Sequence, residues 1–289
     1  MLADWCGNLV QTLIEKRMIV KEKIGGQSLD LRICDNLDLM AEIKDNTVDL
    51  IYCDILYGTG RKFKDYQDLK PIRSVIETHY IQRIKEMHRI LKDTGSIYLQ
   101  MDYRISHWIR CIMDDIFGYK KYIQTIYWKY NAGGKYKDKF KTVTDEILFY
   151  SKAEHKQFYP DRVMIPHHPD TYRRIKGYAN AGIKININGK QRENLWDFNA
   201  VKKGNFTKLN PEYLNYATQK PKALIETIIK ASSNEGDLVA DFYAGSFTTA
   251  EVCKDLKRNF IGCDINPNGF EKAKERGLFS FTDEPDKLD

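Results

Sequence analysis

The sequence predicts an α/β fold in which helices cover a mostly parallel sheet. One observation is the alternation of short apolar, β-branched runs with stretches of helical periodicity. A second is the C-terminal order Asp237-Leu-Val-Ala-Asp241-Phe-Tyr-Ala-Gly245-Ser-Phe-Thr-Thr249, a helical stretch, then Asn259-Phe-Ile-Gly-Cys-Asp264-Ile-Asn-Pro267. It reads as strand, tight turn, helix and a second strand ending in an acid. The third is compositional: of 289 residues, 42% are hydrophobic and 12% aromatic, far more than a chain without a core carries.

The strands expected from the apolar runs are 31–34, 48–53, 96–100, 123–128, 146–150, 238–241 and 259–263. Residues 80–91 repeat apolar positions at helical spacing and stop at Lys92-Asp93-Thr94-Gly95, where Gly95 suits a left-handed terminus. Residues 221–232 read as a helix begun by Pro221. Residues 1–30 read as a helical extension, with Leu9, Leu13 and Ile14 on one face suited to packing or to a second copy of the chain. The pattern breaks over 153–215, where lysines and arginines interleave with Tyr159, Tyr172, Tyr178, Trp196 and Phe206. That mixture suits a phosphate backbone and unstacked bases. The resulting division is 1–30, 31–152, 153–215, 216–276 and a tail at 277–289.

Charge and cysteine usage exclude other classes. Lys plus Arg number 46 and Asp plus Glu 40, a net charge of +6 that permits a polyanionic partner. No apolar run is long enough for a membrane span and Met1–Cys6 has no signal-peptide character, so a cytosolic protein is expected. The six cysteines are scattered without C-x-x-C spacing, which predicts reduced core residues. His167 and His168 are adjacent, a poor metal pair, and no metal is expected.

Chemistry concentrates in three motifs. At the C-terminal strand pair, Asp264 stands where an acid can accept ribose hydroxyls, or cap the following turn. The phosphate loop G-x-G-x-x-G is absent, which disfavours a nicotinamide oxidoreductase. Upstream, Thr218-Gln219-Lys220-Pro221 puts a lysine at a helix start, unfavourable with the helix dipole unless it meets a carboxylate. The third is Val48-Asp-Leu-Ile-Tyr-Cys-Asp54-Ile55-Leu56-Tyr57-Gly-Thr-Gly60, a buried-type strand delivering an acid and an aromatic to a glycine-bearing loop.

Together these motifs resemble the S-adenosylmethionine-dependent amino-methyltransferases of DNA, with the catalytic motif ahead of the cofactor motif as in the beta class. The resemblance covers about residues 29–276 and takes in Leu31-Arg-Ile-Cys-Asp35-Asn36, residues 86–102, Ile126-Tyr-Trp128 and Asp145-Glu-Ile-Leu-Phe-Tyr-Ser-Lys152. It implies a Rossmann-like methyltransferase sheet, mostly parallel with an antiparallel strand, in cyclically shifted chain order, with 153–215 as an inserted target-recognition region. It implies catalysis by Asp54, Ile55 and Tyr57 on a base flipped out of double-stranded DNA, most simply N6 of adenine. Tyr57 would stack on the base, a task that needs only its ring face. The cofactor would be lined by Asp35, Asn36, Asp54, Lys220, Asp241, Tyr243, Ala244, Gly245, Ser246, Thr248, Asp264 and Asn266. DNA would be met by Arg61, Lys62, Arg173, Arg174, Lys176, Lys202 and Lys203, with 61–70 a mobile loop over the flipped base. The length suits a stand-alone modification enzyme working beside a cognate restriction endonuclease.

Two departures from the family pattern matter. Asp54-Ile55-Leu56-Tyr57 replaces Asp-Pro-Pro-Tyr, so that without the prolines the loop must be held by packing alone. Phe242 and Phe247 stand where the family has proline and glycine, and the Phe247 ring is expected to turn into the core, away from the cofactor. These departures leave a non-catalytic DNA-binding relative as one alternative; a cytosine-N4 enzyme is the other, since the resemblance favours adenine through Asp54, where cytosine-N4 enzymes often, but not always, carry serine.

Overall fold

The computed structural model describes residues 18–62, 67–131, 135–154, 156–180, 182, 184–201, 211–216 and 218–279, the side chains of 176 and 179 excepted. Among them nine strands form one sheet. They are β1 (Ile19–Ile24), β2 (Gln27–Ile33), β3 (Val48–Asp54), β4 (Leu91–Met101), β5 (Tyr122–Lys129), β6 (Thr144–Ser151), β7 (Leu195–Asp197), β8 (Leu238–Asp241) and β9 (Asn259–Asp264). The helices are α1 (Asn36–Glu42), α2 (Arg73–Ile90), α3 (Tyr103–Phe117), α4 (Pro169–Asn180), α5 (Lys222–Ser232), α6 (Thr248–Asp255) and α7 (Asn268–Glu275).

The spatial order is β1-β2-β9-β8-β3-β4-β6-β5-β7. Strands β2, β9, β8, β3 and β4 run parallel, while β6 runs antiparallel to both β4 and β5, and β1 is antiparallel at the edge. The late strands β8 and β9 insert between the early β2 and β3, which is the cyclic shift of chain order expected from the motifs. Alternation along β3 divides the core. Leu50 and Tyr52 face one cluster with Leu224, Ile228, Val252 and Phe270, whereas Ile51 and Cys53 face another with Leu39, Ile84 and Ile109. β3 is buried on both faces and ends at Asp54.

Several elements differ from expectation. Residues 19–30 are not helical: β1 and β2 form a hairpin whose turn, Gly25 at φ 58° and Gly26 at φ 90°, has both residues in the region that a tight hairpin requires. Leu9, Leu13 and Ile14 lie outside the described residues. Gly95 does not end a helix, because α2 passes at Ile90 directly into β4, which contains Gly95. Helices α1 and α3 were not anticipated; each starts at an aspartate whose side chain accepts a backbone N–H, Asp35 from Leu37 and Asp102 from Arg104. Residues 153–215 carry α4 and β7, and β7 joins the sheet beside β5. Cys53, Cys253 and Cys263 are buried free thiols, but Cys34 is half-buried and Cys111 is exposed on α3. Among the described residues no helix is long and apolar enough to cross a membrane.

Candidate active site

A cavity of about 550 Å³ opens at the carboxyl edge of the sheet, where β2, β9, β8 and β3 deliver their ends side by side. Chain order reverses there, the place where such sheets bind ligands. Its wall includes Asp35, Asn36, Asp54, Ile55, Tyr57, Tyr243, Gly245, Asp264 and Asn266. A narrower space beside it is lined by Asp54, Lys220, Asp241, Ala244, Ser246 and Thr248. The structure therefore brings every residue expected to be catalytic or cofactor-binding to one edge, in two adjoining spaces.

Each motif is built by local chemistry. Asp54 closes β3, and the loop after it is held by hydrogen bonds as well as packing. The Ile55 N–H donates to Gln100 O at 3.0 Å, the Tyr80 hydroxyl to Leu56 O at 3.1 Å, and Gly58 N and Thr59 N to the Asp68 carboxylate at 3.1 and 2.7 Å. These replace what two prolines would have preorganised, and correct the expectation of packing alone. Asp68 also ties together the two described ends of the 61–70 segment, of which 63–66 lie outside the described residues: its N–H donates to Arg61 O at 3.0 Å, and Lys62 bridges Gln67. Arg61 and Lys62 are exposed at this neck.

Around Asp54 lies a network of acids. The Lys220 ammonium pairs with the Asp54 carboxylate and donates to Thr218 O at 3.0 Å. The carboxylate that the helix-start lysine meets is thus one of the chain's own. Gln219 ties its segment down by accepting from Leu214 N at 3.1 Å, and Thr218 sits at φ 65° to turn the chain into α5. The Tyr57 hydroxyl lies 2.9 Å from Asp54 Oδ1 and 2.5 Å from Asp145 Oδ2, and Asp145 also accepts from Gln100 Nε2 at 3.1 Å. One phenolic proton therefore serves two carboxyl groups. Asp145 is 3% exposed, and its Oδ1 has no hydrogen-bond partner among the described residues. Burial raises the Asp54 carboxyl above its ordinary range while Lys220 opposes the rise; burial beside both acids holds the Tyr57 phenol well above 10.

On the cofactor side, Asp264 accepts from Gly245 N and from Asn266 N, each at 2.8 Å. It thereby joins the β8 turn to the β9 turn while remaining on the cavity wall. Asp241 is pushed up to about 7 by burial and accepts from Thr249 Oγ1 at 2.6 Å and Tyr243 N at 3.0 Å, so it braces the turn from behind. Ser246 and Thr248 face Arg276. Phe247 is 0% exposed, its ring edge-on to Phe260 and Phe270, so it points into the core as expected.

Three residues escaped the sequence reading. Arg83 bonds Asn36 Oδ1 at 2.8 Å and Asp35 Oδ2 at 2.9 Å, and His79 Nε2 lies 3.2 Å from the Tyr243 hydroxyl; both line the cavity. Burial and Arg83 lower the His79 imidazole to about 4. Their four-residue spacing beside the apolar stripe of α2 was a signal, but a helix begun at Tyr80 left His79 out. Asp145 stood only at the head of the 145–152 stretch, one residue before the expected strand and with no role assigned. Arg173 and Arg174 are exposed on α4, Arg173 pairing with Asp170 at 2.9 Å. The side chain of Lys176, and Lys202 and Lys203 altogether, lie outside the described residues. Among those described, no group of three or more His, Cys, Asp or Glu could hold a metal ion.

Comparison with known proteins gives the family and the fold. A family model described as DNA methylase matches residues 48–275. The type II methyltransferase M.HpaI of Haemophilus parainfluenzae is 33% identical over 247 residues, 84% of this chain and 73% of that protein. The DNA adenine methyltransferase YhdJ of Escherichia coli (strain K12) is 33% identical over 234 residues, 79% and 76%. In fold, the chain is similar to the cytosine-N4-specific PvuII DNA methyltransferase, with TM-score 0.63 at 17% identity over 89% and 88% of the two chains. With a family model matched over most of its length and two relatives at 33% identity, the chain belongs to the DNA methylase family, amino-methyltransferases that take their methyl group from S-adenosylmethionine.

Proposed function

We propose that this chain methylates N6 of adenine in double-stranded DNA. The observation that carries the reading is that Asp54 and Tyr57 share one cavity with Asp264 and Gly245, so that an amine acceptor and an adenosine site open into the same space. Relatedness to an enzyme named as a DNA adenine methyltransferase supports adenine over cytosine. The residues present fit the cofactor. Asp264 ends β9 where a ribose would be met, and Gly245 at φ 51° takes a backbone conformation that side chains rarely adopt, leaving the turn without a Cβ. Asp35, Asn36, Tyr243 and Asn266 complete its wall. The bound cofactor supplies a methyl group on a sulfonium, an electrophile needing no further activation.

The chain's own residues supply orientation. Asp54 and the Ile55 carbonyl accept the two hydrogens of the target amine, directing its weak lone pair toward the methyl group. Tyr57 packs on the flipped base, its phenol anchored by Asp145. Lys220 pairs with Asp54 and opposes the rise of its carboxyl, and Asp54 takes the proton released after transfer. Arg61, Lys62, Arg173 and Arg174 meet the phosphates, with 153–215 as the target-recognition region. Relatedness to type II methyltransferases supports a role in restriction and modification, in which a cognate endonuclease would work on the same DNA.

The test is methyl transfer from labelled S-adenosylmethionine to genomic DNA, followed by digestion to nucleosides. The expected product is N6-methyladenine. Asp54→Ala should abolish it while keeping cofactor affinity within about tenfold. N4-methylcytosine as product would transfer the same geometry to the other base, and full activity of the variant would refute the assignment of Asp54.

A further inference from the structure

Strand register places one more element beside the site. Asp54 of β3 pairs with Gln100 of β4, Gln100 with Ile147 of β6, and Lys129 of β5 with Thr144 of β6. Because β6 runs opposite to β4, the connection from β5 to β6 leaves the sheet at the same edge as Asp54. Its base is closed by the Tyr130 N–H donating to Val143 O at 2.9 Å, and Asp145, two residues beyond, holds the Tyr57 hydroxyl. The far part of this connection reads Lys135-Tyr136-Lys137-Asp138-Lys139-Phe140-Lys141, all of it exposed, with four lysines against one aspartate. Phe140 is 99% exposed and Tyr136 52%, with the Lys139 ammonium 5.0 Å from the Tyr136 ring centre.

A fully exposed phenylalanine costs free energy in water, and single examples need no explanation. Here it stands among lysines, beside a second exposed ring, at the edge where the base must enter. We propose that residues 135–141 form a DNA-binding element distinct from 153–215, with Lys137, Lys139 and Lys141 on phosphates and Phe140 inserted against the bases beside the flipped nucleotide. Lysines neutralise the backbone without reading sequence, and an apolar ring stabilises the opened stack. A flipped base leaves a gap in the duplex, and a ring carried on the strand pair that holds Tyr57 stands next to that gap. The inference rests on the DNA-methylating reading for its partner, but it can be measured by binding alone.

The experiment uses the full chain and a labelled 30-base-pair duplex of mixed sequence. The combined variant Lys137→Gln, Lys139→Gln, Lys141→Gln should weaken binding and lower the slope of log affinity against log salt by about 2 to 3, roughly 0.9 per lost phosphate contact. S-adenosylmethionine affinity and melting temperature should not change. Phe140→Trp should show emission quenched by the duplex beyond that of the parent protein, and Phe140→Ala should lower the methyl-transfer rate on genomic DNA about tenfold or more. An unchanged salt slope, or added emission of the Phe140→Trp variant that is indifferent to DNA, overturns the proposal. So does an equal loss of binding to a single-stranded RNA of the same length, which would make the loop a general polyanion contact. If the parent protein transfers no methyl group, the functional reading fails, while the slope still decides the role of the loop.

Discussion

Replacing Phe247 asks whether the departure from the family's glycine serves the core or the cofactor site. The residue sits at φ 55° and ψ 31°, the left-handed conformation that a bulky side chain adopts only at a cost of ~1–2 kcal/mol. Its ring is packed 5.7 Å from Phe270 and 6.5 Å from Phe260, centre to centre, over Gly269, where a Cβ would approach the ring to 3.3 Å. Truncation to alanine should cost ~3–5 kcal/mol by loss of transfer energy and the cavity left behind. Phe247→Gly gives up one further methyl, ~0.8 kcal/mol, but releases the backbone strain. The two variants should therefore lie within ~1 kcal/mol of each other, glycine no worse, with melting temperature down by on the order of 10 °C. Denaturant unfolding measures the stabilities, and calorimetric titration with S-adenosylmethionine measures the site. Affinity should be unchanged for the folded fraction. Tighter cofactor binding without loss of stability would refute the packing described here, because the ring would then have been occupying the cofactor's space.

Two further outcomes concern the network around Asp54, and a third concerns Asp241 behind the β8 turn. Tyr57→Phe should lower the rate of transfer at least tenfold, more than a ring-stacking role alone implies, because it removes the proton between Asp54 and Asp145; Asp145→Asn, which keeps an acceptor, should be milder, and a comparison of kcat in the two variants checks this. Lys220→Met removes the cation that opposes the raised carboxyl of Asp54, so the acidic limb of the pH–rate profile should move to higher pH, and an unmoved limb would detach Lys220 from that acid. Asp241 has its carboxyl raised from 3.8 to about 7 in the folded chain, so the native state holds its proton more tightly than the unfolded state does. Its contribution to stability is present below pH ~4 and is lost as pH rises to about 7; Asp241→Asn should flatten that slope, read from unfolding between pH 4 and 8.

By itself, the sequence determined the features that repeat along the chain or that a short motif must obey. Strand β8 falls where the apolar run predicted it, and α5 begins one residue after Pro221, because period and turn chemistry are local. Asp54 and Asp264 were legible because a strand that ends in an acid before a turn puts that acid at a sheet edge. The hairpin at 19–33 was equally local, announced by alternation around Gly25-Gly26, yet only its end from Leu31 was read as strand, and residues 19–30 were read as helix because the apolar residues before them drew the segment into one pattern. Tertiary structure alone decided the partners. Lys220 meets Asp54 across 166 residues, Tyr57 meets Asp145 across 88 and Arg83 meets Asp35 across 48. No periodicity encodes these separations, because they depend on β8 and β9 entering between β2 and β3, and on β6 running opposite to β4. The side to which Phe247 turns belongs with them, since the space that receives its ring is made by Phe260, Gly269 and Phe270 only after β9 and α7 have packed against the turn.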